Sequence, residues 1–163
     1  MNIVVNSTPL ISLAILNQLE LLQKLFSKVI IPNSVYDEIV VNGKDKTGYD
    51  CLSAVNWFHI TSAENSGMKQ SIMIELDKGE AEVITIAKEQ NISLVCIDEF
   101  AGRQYAKLIG LDVIGTLGIL LIAKQHGYVS ELKPLFQKLI SNNRHIGKVL
   151  CNQVLRRAGE CEI

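Results

Sequence analysis

Four polar side chains occur at points of the sequence where a sheet protein could gather them at one edge: Asn6, Glu38, Glu80 and Asp98. Asn6 directly follows the apolar, β-branched run Ile3–Val5, and Asp98 ends a second apolar run. Glu38 and Glu80 each lie near the start of a segment with helical spacing of apolar residues. In a parallel sheet, the ends of the strands and the starts of the following helices share the carboxyl edge, where ligands collect. We therefore expect these side chains to line one crevice.

Each acid also has an ordinary structural interpretation. Glu80 lies on the apolar stripe of its helix, but a glutamate in a first turn can simply accept from free backbone N–H groups. Asp98 could be the N-cap of the next helix, and Glu38 could be a surface glutamate in a second turn. Glu82 is turned about 160° away from Glu80 around the helix, so we expect its carboxylate to be solvated.

The chemistry of the three acids depends on how close together they lie. Carboxylates that converge without a cation repel one another and raise their pKa values, so a buried group of them is most stable around a divalent metal. Oxygen ligands without a nearby His or Cys set favour Mg²⁺ or Mn²⁺. Such ions suit phosphodiester hydrolysis, because they activate water and neutralise the leaving oxygen.

The elements that must position these residues can be read from apolar periodicity. Five short runs predict strands: Ile3–Val5, Val29–Ile31, Phe58–Ile60, Leu94–Ile97 and Val113–Ile114. Helices are predicted from Thr8-Pro9, from Glu99 to about Ile109, from Thr116 to about Gln125 and over 132–140, with loops at 42–48 and 62–69. Strands that alternate with helices predict a mostly parallel sheet covered on both faces.

Composition limits the classes of protein to consider. The 163 residues, with 48% hydrophobic side chains, suit a single domain spanning 1–163. No apolar run approaches the roughly 18 to 20 residues that cross a bilayer, and the N-terminus has no charged leader. The four cysteines are widely scattered. We therefore expect a cytoplasmic protein without membrane contact, disulfide framework or zinc knuckle.

Charge is distributed unevenly along the chain. The formal net charge is −1, yet no acidic residue occurs between Leu132 and Gly159. That stretch carries several lysines and arginines, including Arg144 and Lys148. It could be a solvated helical surface, or a face that contacts RNA or an acidic partner through Arg144 and Lys148.

The order and spacing of five segments resemble the PIN-domain nucleases, in particular the toxin nucleases of bacterial toxin–antitoxin pairs. The similarity extends from Val4 to Glu160. The segments are VVNSTPLISLA, VIIPNSVYDEIV, LDKGEAEVITIA, LVCIDEFAGRQYAKLIGLDVIGTLGILLIAK and LRRAGE.

The resemblance implies a three-layer α/β/α sandwich with a mostly parallel central sheet and a metal-binding acidic quartet that cuts RNA. Glu38, Glu80 and Asp98 match three catalytic and metal-binding acids, which bind Mg²⁺ or Mn²⁺. The fourth position is usually Asp, and here it is Asn6. The resemblance also implies RNA as the substrate, a small antitoxin protein as a partner, and a homodimer.

Asn6 separates two functional hypotheses. Its carbonyl oxygen can still coordinate a metal, which favours an endoribonuclease with a weakened fourth ligand. It also removes one negative charge, which favours a catalytically impaired module that binds RNA or protein without cutting. Other enzyme classes lack their motifs, because the sequence has neither GxGxxG after the first strand nor a GxSxG elbow.

Overall fold

The computed structural model describes residues 1–144 and 146–163. Its strands are β1 Asn2–Val5, β2 Lys28–Pro32, β3 His59–Thr61, β4 Leu94–Cys96 and β5 Asp112–Ile114. Its α-helices are α1 Ser7–Ile15, α2 Glu20–Leu25, α3 Asn33–Tyr36, α4 Tyr49–Ser53, α5 Ser66–Ile72, α6 Lys78–Glu89, α7 Phe100–Leu108, α8 Thr116–Gln125, α9 Lys133–Ser141 and α10 Lys148–Arg157. A π-helical turn, Asp37–Val41, continues α3.

The five strands form one sheet in the order β3-β2-β1-β4-β5, and every pair is parallel. In the register of the central pair, Val4 lies opposite Val95 and Val5 opposite Cys96. The chain leaves β1 toward β2 on one side and returns to β4 on the other. The carboxyl ends of β1 and β4 therefore form the switch point at which open parallel sheets bind ligands.

Alternating side chains of the strands enter two separate cores. Ile3 and Val5 pack in the larger core with α1, α2, α8, α9 and α10. Val4 and Val95 pack in the other core with α5, α6 and α7. Because each face of the sheet is apolar and covered by helices, the arrangement is a three-layer α/β/α sandwich, which confirms the predicted fold class.

The predicted elements are mostly found, with local differences. Thr8 was predicted as an N-cap and Pro9 as the first helical residue, but α1 begins two residues earlier, at Ser7, because Asn6 takes the extended conformation of the N-cap. The second predicted loop was too long, since α5 begins at Ser66, and the Asn65 side chain accepts from the backbone N–H of Met68 at its start. Asn65 therefore gives that helix the N-cap that the loop prediction overlooked.

The C-terminal segment is fastened to the sandwich by Glu160. Its carboxylate accepts from the backbone N–H of Leu132 at 2.6 Å and of Lys133 at 2.8 Å, and it pairs with Lys124. Burial alone would raise the pKa of Glu160, but Lys124 and these N–H groups outweigh burial and lower it. One side chain thus joins α8, the start of α9 and the chain end.

Among the described residues, no helix has the length and apolar character needed to span a bilayer.

Candidate functional site

Polar residues collect at the carboxyl ends of β1 and β4. Asn6 follows β1, and its backbone N–H donates to the Cys96 carbonyl at 3.0 Å, which extends the strand pairing by one residue. Asp98 and Glu99 follow β4 by two and three residues. The Asn6 side chain is 2% exposed, so this edge of the sheet buries an amide.

Glu99 is the acid that contacts Asn6. The Asn6 amide donates from Nδ2 to Glu99 Oε2 at 3.5 Å, and the Thr8 hydroxyl donates to Glu99 Oε1. Both oxygens of Glu99 are therefore fixed by residues at the start of α1. Glu99 was not predicted as a site residue, because Asp98 beside it was the predicted acid of this strand end. The sequence did hold a signal for Glu99: adjacent side chains of an extended backbone point in opposite directions, so Asp98 and Glu99 are expected to face different neighbours.

Glu80 has the structural role considered for it, because it accepts from a free backbone N–H group at the start of α6. In a capping box, Glu80 Oε2 accepts from the Asp77 N–H at 3.3 Å while Asp77 Oδ1 accepts from the Glu80 N–H at 2.8 Å. Glu80 Oε1 is buried and has no hydrogen-bond partner among the described residues. Burial, with the nearby Asp77 and Glu99 charges, raises the pKa of Glu80, although the backbone N–H groups of Asp77 and Gly102 act in the opposite direction. One oxygen therefore caps α6, and the other lies against the backbone of Gly102 without a well-aligned hydrogen bond.

Gly102 allows α7 to approach Glu80. A Cβ at this position would collide with Glu80 Oε1 and lie 3.0 Å from the Ile97 side chain. Because the Ile97 segment is packed in the core, neither neighbour can retreat without disturbing the site. The absent side chain is therefore what lets α7 lie directly against the free oxygen of Glu80.

The free oxygens offer a test of whether a cation fits here. Asn6 Oδ1, like Glu80 Oε1, is buried without a hydrogen-bond partner in the described structure. Unpaired buried acceptors are costly unless a donor or a cation satisfies them. With Glu99, they form a set of hard oxygen donors of the kind that binds Mg²⁺ or Mn²⁺. No group of three or more His, Cys, Asp or Glu side chains among residues 1–144 and 146–163 is arranged to hold a metal. A cation at this edge of the sheet would therefore have to bind the Asn6 amide oxygen as well as the acids.

Asp98 has hydrogen bonds to both carboxylate oxygens. The Thr116 backbone N–H donates to Oδ1 at 2.7 Å, and the Thr116 hydroxyl donates to Oδ2 at 2.6 Å. Burial raises the pKa of Asp98, although the Thr116 hydrogen bonds act in the opposite direction. Gly115 makes room for this arrangement, because a Cβ there would lie 2.6 Å from Asp98 Oδ1. Asp98 therefore holds the start of α8 against the end of β4.

Asp98 and Glu99 border one opening, the Glu99 hollow. Its polar wall consists of Thr8, Ser12, Asp98, Glu99, Thr116, Asn143 and Arg144. Glu38 lies elsewhere: its exposed side chain borders a neighbouring opening, the Glu38 hollow, with Ile11, Lys46, Tyr49, Leu52 and Arg144. The structure thus places Asn6, Glu80 and Asp98 around Glu99, and it places Glu38 next to them rather than among them.

Arg144 is common to both hollows. Its Nε donates to the Ser12 hydroxyl at 3.2 Å, and one terminal nitrogen is 3.4 Å from the Thr8 carbonyl oxygen. Lys148 begins α10 with an exposed side chain and is not part of either wall. The two basic residues predicted to contact RNA or a partner are therefore differently placed, with only Arg144 bordering the acids.

Glu82 corrects one expectation from helix geometry. Its side chain is buried rather than solvated, at 4% exposure. Lys69 lies 3.6 Å from one carboxylate oxygen, and the Ser34 hydroxyl donates to the other. α3 and α5 cover that side of α6, which the apolar stripe of α6 alone does not reveal. Glu82 therefore joins three helices and lies outside the candidate site.

Two comparisons with known proteins bear on this site. Residues 2–160 match a protein-family model described as a PIN domain. No curated protein matches the chain.

Proposed function

This chain belongs to the PIN-domain family, and from that premise we propose that it is a Mg²⁺- or Mn²⁺-dependent endoribonuclease. PIN domains have a nuclease-like fold and generally depend on a divalent metal. The proposal adds RNA phosphodiester hydrolysis at the edge of the sheet where β1 and β4 end.

The observation that carries the proposal is the pair of unpaired buried oxygens, Asn6 Oδ1 and Glu80 Oε1, beside the Glu99 carboxylate. A purely structural site would pair such acceptors with donors. Asn6 and Glu80 would hold a cation through these oxygens, and its charge would offset the repulsion that Glu99 contributes to Glu80.

Several side chains have defined roles in this proposal. Asn6, Glu80 and Glu99 would hold the ion, which supplies activation of water and neutralisation of charge on the phosphate. Thr8 and the Asn6 amide orient Glu99, and the capping box with Asp77 orients Glu80. The protein thus fixes its carboxylates before the substrate arrives.

The predicted roles of Glu38 and Asp98 as further catalytic and metal ligands stay part of the proposal. Asp98 already borders the Glu99 hollow, and each of its oxygens can accept a second interaction beside its Thr116 hydrogen bond. Glu38 lines the neighbouring hollow, so its side chain would have to change direction to reach the same ion.

The test is a metal titration followed by a cleavage assay. Calorimetric titration of Mn²⁺ into the protein should show saturable binding that Glu99→Gln weakens by tenfold or more. Asp112→Asn is the matched control, because Asp112 is an exposed acid at the opposite, amino end of β5. Equal binding by both variants would refute this ligand set.

A second candidate function is an RNA- or protein-binding module that no longer cuts. It is favoured by the Asn6 Nδ2 contact with Glu99, because an amide can bridge the strand end to this acid without a metal. Under this alternative, the protein binds RNA in EDTA, added Mn²⁺ or Mg²⁺ changes nothing, and no RNA is cut.

We extend the proposal to the toxin of a toxin–antitoxin pair, acting in the cytoplasm as a homodimer with a small antitoxin protein as its inhibitor. This extension rests on the resemblance of the five sequence segments to toxin nucleases. Induced expression in bacteria should arrest growth for the wild type and not for Glu99→Gln. Growth arrest by both proteins would argue against a toxin that acts through cleavage.

A further inference from the structure

The Glu99 hollow and the Glu38 hollow adjoin each other, and Arg144 forms part of both walls. We infer that the two hollows form one binding track for single-stranded RNA, in which Arg144 binds a backbone phosphate between them and Tyr49 stacks on the base beyond it. This inference rests on the proposed ribonuclease function and adds the route of the substrate to the site.

Arg144 is held in position without being neutralised. Its guanidinium is anchored to α1 through Ser12 and the Thr8 carbonyl, which are uncharged acceptors. None of the ion pairs found among the described residues includes Arg144. A guanidinium has five N–H donors in a planar fork, so donors remain for a phosphate. Arg144 is thus a pre-positioned cation at the edge of the acidic site.

The Glu38 hollow has the composition of a nucleotide subsite. Ile11 and Leu52 give it an apolar side, and the half-buried Tyr49 supplies an aromatic ring. Lys46 adds an exposed ammonium group in the same wall. Proteins that bind single strands combine aromatic rings for the bases with cations for the backbone. The Tyr49 ring therefore suits the base of a nucleotide, and the Lys46 and Arg144 cations suit its phosphate.

The acid in this hollow further limits the occupant. The Glu38 carboxylate only accepts hydrogen bonds when ionised, so a base edge with N–H donors suits it and a phosphate does not. The bases of a duplex are stacked and paired, so neither their faces nor their Watson–Crick edges can enter a side hollow. We therefore assign the track to single-stranded RNA, with the phosphate at Arg144 and a base at Glu38 and Tyr49.

The experiment measures binding of a fluorescently labelled single-stranded RNA by anisotropy, in EDTA so that cleavage cannot occur, over a series of salt concentrations. Arg144→Gln should weaken binding and reduce the slope of log affinity against log salt by about 0.7, the value for one phosphate contact on a single strand. Arg144→Lys should retain the slope. Tyr49→Leu should weaken binding by about fivefold or more with the slope unchanged, because it removes stacking without removing charge.

Arg157→Gln is the matched control, since Arg157 is an exposed arginine on α10 outside both hollows. Wild-type affinity and slope in Arg144→Gln, or equal losses in Arg157→Gln, would overturn the inference. Failure of the wild type to bind the RNA, or preferential binding of an acidic peptide that displaces RNA, would also overturn it. If Arg144→Gln does not fold, the Tyr49→Leu measurement decides.

These results separate the inference from the proposed function. Loss of RNA binding as expected, in a protein that cuts RNA with neither metal, would support the track and refute the ribonuclease. Metal-dependent cutting with unaltered binding by Arg144→Gln and Tyr49→Leu would support the ribonuclease and refute the track.

Discussion

Replacing Asn6 by aspartate adds a carboxylate next to Glu99, at the position where the amide Nδ2 is 3.5 Å from Glu99 Oε2. The change removes a hydrogen-bond donor and puts two negative charges in a buried place. At an effective dielectric constant of about 20, two unit charges about 3.5 Å apart repel by roughly 5 kcal/mol before solvent and rearrangement reduce the effect. We expect a net loss of about 1 to 3 kcal/mol in the free energy of unfolding without metal.

The same charge should improve metal binding. A unit charge about 4 Å from a dication contributes roughly 8 kcal/mol gross at that dielectric constant, much of it offset by dehydration. We therefore expect Asn6→Asp to unfold at a temperature roughly 2 to 12 °C lower than the wild type in EDTA. In Mn²⁺ this deficit should shrink, and the affinity for Mn²⁺ should rise by about tenfold or more.

Thermal unfolding in EDTA and in Mn²⁺, together with calorimetric titration, measures both effects. Asn56→Asp makes the same chemical change at an exposed position outside both hollows and serves as the control. If Asn6→Asp loses stability equally in EDTA and in Mn²⁺ and binds the ion no better than the wild type, the reasoning about a metal cage is refuted.

Three further predictions concern single side chains. Glu80→Gln keeps an oxygen for the capping box but cannot ionise, so it should unfold at a higher temperature than the wild type at neutral pH. Because the folded pKa of Glu80 is raised, this advantage should appear above pH 4.5 and vanish below it. An equal unfolding temperature of the two proteins at pH 7 would contradict the argument that burial destabilises the ionised Glu80. Gly102→Ala should lower the free energy of unfolding by about 1 to 3 kcal/mol, because the new Cβ would collide with Glu80 Oε1. Urea unfolding measures this loss, and an unchanged free energy of unfolding would contradict the close packing of α7 against Glu80. Glu160→Gln should cost about 1 to 2 kcal/mol at pH 7, or roughly 2 to 8 °C in melting temperature. Because the folded pKa of Glu160 is lowered, the wild type should progressively lose this advantage as the pH falls below 4.5, and a difference that does not shrink with falling pH would refute the ionic role.

The fold class could be predicted because simple apolar patterns mark the strands and the helices between them. Runs such as Ile3–Val5 and Leu94–Ile97 are long enough to identify strands that are buried on both faces. The alternation with helices then left few topologies to consider. Short helices were harder to predict: the first four residues of α5, 66–69, lie in a segment predicted as a loop, because a seven-residue helix shows little apolar periodicity.

The candidate site was predicted less completely, because side-chain direction depends on the exact end of an element. Asp98 and Glu99 are adjacent in the sequence, yet Asp98 bonds to Thr116 and Glu99 bonds to Asn6. Glu82 shows the same limit, since its burial depends on α3 and α5, which pack against α6 only in the folded chain. The type of chemistry could be inferred from residue types, but the partner of each acid required the tertiary structure.

The most direct test of metal-dependent RNA hydrolysis at this site is a cleavage time course on one defined single-stranded RNA, with wild-type protein, Glu99→Gln and Asp112→Asn prepared in parallel. We predict that the wild type and Asp112→Asn cut the RNA with Mn²⁺ or Mg²⁺ and stop in EDTA, whereas Glu99→Gln is slower by about a hundredfold, equivalent to about 2.7 kcal/mol of transition-state stabilisation. Cleavage by Glu99→Gln at the wild-type rate, or no cleavage by the wild type with either metal, would contradict the account.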